Sequence, residues 1–177
     1  YLVDVYRRGD GGAPRPLTFF AFLTMFPHLV AGPIVRWTHV GPQLEAPQFE
    51  PGLFGYGALR VASGLAKKAV LADSIAVVVD QLFATGTPAS AGAAWTAVVL
   101  YSLQIYLDFS AYSDIAIGLA AMMGVRFQEN FHYPYLARSA REFWQRWHIS
   151  LGSWFRDYLY IPLGGSRVGP VRLWRNL

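Results

Sequence analysis

Cysteine is absent from all 177 residues, which excludes disulfides and thiolate metal sites. Charge is scarce: Lys, Arg, Asp and Glu make up 15% of the chain, against about 25% in an average soluble domain. Residues 17–35 and 81–107 contain none of the four, over 19 and 27 positions respectively. There is no His-Glu-x-x-His motif and no His/carboxylate cluster at metal spacing, so nothing points to a bound metal. Neither a Gly-x-Ser-x-Gly elbow nor a phosphate-cradling glycine loop occurs. Internal repeats, low-complexity tracts and a secretory signal are also missing.

What fills the space is apolar and aromatic. The chain is 54% hydrophobic and holds six Trp, ten Tyr and twelve Phe. That balance fits a membrane protein with interfacial aromatics; composition alone also allows a soluble domain with a large core. The net charge of +4 is uneven. Residues 126–177 carry eight Arg against three acids, whereas residues 1–125 carry seven bases against eight. A basic excess beside apolar segments marks a cytoplasmic face. A nucleic-acid surface is the weaker reading, because these arginines are interleaved with Trp, Phe, Tyr and Leu.

The pattern predicts an all-α chain with several membrane segments, some kinked or re-entrant and some amphipathic. A polar Gly/Pro turn over residues 9–16 follows a short helical end. Residues 17–35 are long enough to span a bilayer, but Pro27 and Gly32-Pro33 predict a kink. Residues 37–57 read as an interfacial connector, and 58–83 as an amphipathic helix carrying Lys67, Lys68, Asp73 and Asp80. Residues 93–107 give the clearest apolar helix, 126–138 a loop around Asn130 and Pro134, and 141–160 a further helix. The beginning and end read as those of an internal stretch, a single partial domain over 1–177.

Two places carry chemistry. The first is Gln104-Ile-Tyr-Leu-Asp-Phe-Ser-Ala-Tyr-Ser-Asp-Ile-Ala-Ile-Gly118, which sets two carboxylates in apolar surroundings. Gln104, Asp108 and Tyr112 form one helical stripe, with Asp114 about 240° from Asp108. A straight helix cannot aim both acids at one cavity, so either the helix breaks near Ser110 or both sides are buried in protein. Such groups either bind neighbouring helices or line a wet cavity. The second place is residues 141–160. On a continuous helix Glu142, Arg146, Ser150, Ser153 and Asp157 share one side, and His148 lies nearly opposite with Trp144. A histidine there is either a packed core residue or a base held neutral by its aromatic neighbours.

At these residues the chain resembles a known family, the membrane-bound O-acyltransferases. The resemblance rests on the stretch from Gln104 to Gly118, on Asn130-Phe-His-Tyr-Pro-Tyr135, on Phe143-Trp-Gln-Arg-Trp-His-Ile-Ser-Leu151 and on Trp154-Phe-Arg-Asp-Tyr-Leu-Tyr-Ile-Pro-Leu-Gly-Gly165. Ala31-Gly-Pro-Ile-Val-Arg36 and Lys67-Lys68 with Asp73 agree with it. The motifs run in order over nearly the whole chain, most like members that acetylate exported polysaccharides of the alginate type; D-alanyl transfer to teichoic acid is the second match.

The resemblance implies a ring of tilted helices around a tunnel, in the bacterial inner membrane. An acyl thioester such as acetyl-CoA would enter as substrate, with no bound cofactor and no metal. The acyl group would leave toward a periplasmic partner protein, with lipid around the chain and no nucleic acid. It implies a catalytic role for His148 and a tunnel or substrate-binding role for Gln104, Asp108, Asp114, Asn130, Trp144, Arg146 and Arg156. Residues 126–150 would lie near the cytoplasmic face. The family's most strongly implicated histidine sits in a His-Gly-x-x-Trp motif that this chain does not contain, so the stretch alone is expected to be inactive. A membrane channel or transporter whose Asp108 and Asp114 handle cations or protons, and a non-catalytic scaffold, are the alternatives from other classes.

Overall fold

The computed structural model describes residues 1–8, 14–84, 86, 90–169, 171–172 and 174. The described residues are helical with no strand, as expected. No described helix is long and apolar enough to cross a membrane, which corrects the expectation of whole spans within this stretch. The physical reasons are local. The apolar stretch 17–35 is cut at Pro27, and the long helix after residue 90 carries Gln104, Asp108 and Asp114 through its middle. The chain packs as two compact units, residues 1–32 with 36–127, and residues 33–35 with 128–177.

The first unit opens with α1 (Leu2–Arg8) and α2 (Pro16–Thr24). Pro16 sits in the first turn of α2, where its missing N–H costs nothing. Past Thr24 the chain turns through a 3-10 segment, Phe26–His28, built on Pro27. The kink expected from Pro27 is therefore a helix end. α3 (Trp37–Glu45) occupies the predicted connector and tolerates Pro42 inside it. α4 (Pro51–Ala66) starts seven residues earlier than the apolar periodicity suggested, again on a first-turn proline. A π segment, Lys67–Ala72, leads into α5 (Asp73–Ala84). Much of the small-residue loop after it, like residues 9–13 of the predicted first turn, lies outside the described residues. α6 (Ala91–Met122) then runs 32 residues without a break. Ser90 caps it, its Oγ accepting from the Ala93 N–H at 3.1 Å.

α4 and α6 set the core of this unit. Gly57 and Gly64 are seven apart on α4 and so share a face. A Cβ at Gly57 would stand 2.5 Å from the Gly118 carbonyl oxygen, and one at Gly118 would stand 2.7 Å from that of Gly57. At Gly64 it would meet the Ala111 carbonyl oxygen at 2.9 Å. Small residues here let two backbones approach, so that Ala111, Ile117 and Ala121 of α6 are buried.

The second unit holds a 3-10 turn, Pro134–Leu136, then α7 (Ala140–Arg146), α8 (Ile149–Phe155) and a π segment, Arg156–Tyr160. The single helix predicted over residues 141–160 is thus two helices, broken at Trp147 and His148. The Ser139 side chain caps α7 by accepting from the Glu142 N–H at 3.1 Å, and Glu142 reaches back to accept from the Arg138 N–H at 2.8 Å.

The close approach predicts a sharp contrast between glycines of one helix. Gly57→Ala should lower stability by about 1–3 kcal/mol through overpacking. Gly55→Ala, with nothing within 4 Å of its added methyl, should be neutral or stabilising by up to about 1 kcal/mol. Thermal unfolding of the full-length protein in detergent checks both; equal effects would contradict the packing.

Candidate functional site

In the second unit the backbone folds around one buried amide. Asn130 is 0% exposed. Its side-chain Oδ1 accepts from the Ser150 N–H at 3.2 Å and from the Ser150 hydroxyl at 2.9 Å, and stands 3.0 Å from His148 Nδ1. The Asn130 main-chain carbonyl accepts from the Ile149 N–H at 2.9 Å, and two residues on the His132 N–H donates to the Arg146 carbonyl at 2.9 Å. Ser150 Oγ in turn accepts from the Ile34 N–H at 3.0 Å.

These bonds hold His148 in the left-handed backbone region, φ 45° and ψ 54°, at a cost of about 1–2 kcal/mol for a residue with a Cβ. The kink separates α7 from α8 and brings His148 and Ser150 to the same amide. On the continuous helix expected from sequence the two were on different sides. Burial lowers the His148 pKa below its ordinary 6.5, so the imidazole is neutral at physiological pH.

The other predicted residues of this unit make contacts of their own. Arg146 donates to Glu142 Oε1 through Nη2 at 2.7 Å and through Nε at 3.1 Å, and to the His132 carbonyl at 3.3 Å. The Arg138 N–H, and then Arg146, hold the Glu142 carboxyl below its usual range. Trp144 is 64% exposed and meets the Phe143 ring edge-on at 5.5 Å. Trp147, which was not among the sequence candidates, stacks on Phe143 at 5.6 Å and stands edge-on to Phe131 at 5.1 Å. Arg156 pairs with Asp157 at 2.7 Å.

Three carboxylates of the first unit, Asp73, Asp108 and Asp114, are matched by cations. Asp114 accepts from Arg60 Nη2 at 2.8 Å and from Lys67 Nζ at 2.5 Å. Lys68 Nζ stands 2.9 Å from Asp108 and 2.7 Å from Asp73. Three cations of α4 and the π segment thus oppose three carboxylates. The consecutive lysines both reach α6 from a π turn, in which the Asp73 N–H bonds five residues back to Lys68. α6 stays unbroken through Ser110, so both acids are served from one neighbouring helical stretch. Gln104 lies one turn before Asp108, and its Oε1 is buried with no hydrogen-bond partner among the described residues. Among those residues no group of three or more His, Asp or Glu is arranged to hold a metal ion.

The sequence that builds this helical scaffold belongs to a known class. The model of the MBOAT, membrane-bound O-acyltransferase, family matches residues 6–176, and the chain is a member of that family. It is 50% identical, over its whole length, to a probable alginate O-acetylase AlgI of Pseudomonas syringae pv. tomato, of which the match covers 34%. It is 35% identical to a peptidoglycan O-acetyltransferase of Helicobacter pylori, over its whole length and 39% of that protein. A teichoic acid D-alanyltransferase of Bacillus subtilis is 41% identical over 34% of the chain and 15% of that protein. The chain spans about a third of the length of the relatives it matches over its whole length.

The ion pairs predict which acids carry stability. Asp114→Ala leaves Arg60 and Lys67 facing one another at a mostly buried position, and should cost roughly 2–4 kcal/mol. Glu50→Gln breaks the exposed pair with Arg126 and should cost about 0–1 kcal/mol. Unfolding midpoints of the two variants check the order, and a larger loss for Glu50→Gln would reverse the account.

Proposed function

We propose that the protein carrying this chain is a membrane O-acyltransferase of the bacterial inner membrane, crossing it several times, with residues 126–150 near the cytoplasmic face. It moves an acetyl group from an acyl thioester toward an exported polysaccharide of the alginate type, through a periplasmic partner protein. Family membership and the full-length likeness to alginate O-acetylases support the class and the acceptor. The likeness to D-alanyltransferases covers a shorter part and supports that acceptor less. Exposed apolar side chains support a lipid setting: Leu17 is 80% exposed, Val30 102% and Trp95 72%.

The observation that carries the mechanism is the His148 imidazole held on Asn130 at 3.0 Å, where burial lowers its pKa. Acyl transfer to a hydroxyl needs a base. The acceptor oxygen attacks the thioester carbonyl while the base takes its proton; the carbon–sulfur bond then breaks, and the proton goes to the departing thiolate. The products are an ester and a free thiol. His148 is assigned to this proton transfer, together with a second acid–base group supplied from outside the chain. Gln104, Asp108, Asp114 and Trp144 are assigned to the acyl path. Arg146 and Arg156 are assigned to holding charge. Arg156, with a side chain 63% exposed, is the better placed to meet an anionic donor.

His148→Asn suits the left-handed backbone and removes the base. In the full-length protein it should lower polymer acetylation by at least about 100-fold, with the amount in the membrane unchanged. Undiminished acetylation would remove His148 from the mechanism. Because burial keeps the imidazole neutral to below its ordinary pKa, the wild-type rate should hold as pH falls to about 6.5 and drop only beneath it. An acid limb above pH 7 would count against His148 as the base.

A further inference from the structure

The proton on a neutral histidine sits on one ring nitrogen, and the partner of the other nitrogen decides its chemistry. At His148 the choice is settled by atoms that cannot exchange roles. The Ser150 main-chain N–H points at the Asn130 side chain at 3.2 Å. A backbone N–H only donates, so the amide oxygen, not its nitrogen, must face it. The Ser150 hydroxyl accepts from the Ile34 N–H and turns its own hydrogen to the same oxygen at 2.9 Å. Its distance of 3.5 Å to His148 Nδ1 is too long to compete. His148 Nδ1 therefore faces a pure acceptor at 3.0 Å. A lone pair on Nδ1 would be repelled there, whereas an Nδ1–H makes a hydrogen bond.

From this we infer that Asn130 is a positioning residue that fixes His148 as the Nδ1–H tautomer, with Nε2 as the proton acceptor. The inference rests on the base role proposed above for His148 and adds which nitrogen acts and what sets it. The same residue also supports the ring's placement through its backbone, because the Asn130 main-chain carbonyl holds the Ile149 N–H beside the left-handed turn at His148. A neutral amide in this place orients the base without giving it a charge. A carboxylate there would orient it equally well and raise its pKa.

Asn130→Asp and Asn130→Leu in the full-length protein test this, with acetyl transfer measured against pH. Asn130→Asp keeps an acceptor for all three donors. It should retain acetylation within about 10-fold of wild type, with the acid limb moved to higher pH. Asn130→Leu should lower kcat by about 10- to 100-fold, the range for lost orienting partners, with KM little changed. If Asn130→Leu does not accumulate in the membrane, the limb of Asn130→Asp decides alone. An unmoved limb in Asn130→Asp, or full activity in Asn130→Leu, overturns the positioning role. If His148→Asn is itself fully active, the base assignment fails instead, so the two failures are told apart.

Discussion

A single side-chain oxygen organises the second unit. Asn130 Oδ1 takes two hydrogen bonds from Ser150 and faces His148 Nδ1, at a position with no solvent exposure. An amide buried with its oxygen unmatched would cost about 1–3 kcal/mol. Here that oxygen is matched, and the matching imposes a backbone. The chain between Asn130 and Ser150 must return on itself, α7 must end, and His148 must adopt a conformation that few non-glycine residues take. Structure and chemistry meet at this residue: Oδ1 takes the Ser150 N–H and faces the His148 ring, while the Asn130 main-chain carbonyl takes the Ile149 N–H.

The first unit uses a different device. Glycines at 57, 64 and 118 bring α4 and α6 into backbone contact, and beside that seam Arg60, Lys67 and Lys68 face Asp73, Asp108 and Asp114. Three cations against three carboxylates leave the seam neutral. Neutral pairing is a requirement wherever helices pack in surroundings of low dielectric. The pairs on Asp114 also set the register of α4 and the π segment against α6, because Arg60 and Lys67 converge on it from positions seven apart.

Much of this was legible in the sequence. The scarcity of charge, the helical periodicity and the Pro27 break all appear in the fold, and the motif order pointed to the family that the comparisons show. Asp108 and Asp114 were read as groups that either bind neighbouring helices or line a wet cavity, and both pair with cations of the neighbouring helical stretch. The lysines' shared reach was not legible, because a π turn leaves no periodicity mark in six residues. Neither was the break at His148. Residues 141–160 satisfy helical spacing throughout, and what overrides it is tertiary: the Asn130 and His132 main-chain bonds lie ten or more residues away. One faint signal was available, since His is among the few types enriched at positive φ. Asn130 read as a loop residue, and its burial is set by Ser150 and His148 rather than by any local pattern.

The central claim concerns the state of one imidazole, and it can be observed directly. Nitrogen NMR of the full-length protein, labelled with 15N-histidine and embedded in lipid, resolves protonated from unprotonated ring nitrogens. The His148 signals are assigned by their loss in His148→Asn. Above the pKa, the account predicts a protonated Nδ1 and an unprotonated Nε2 for His148 in the wild type. A protonated Nε2 with an unprotonated Nδ1 would contradict it.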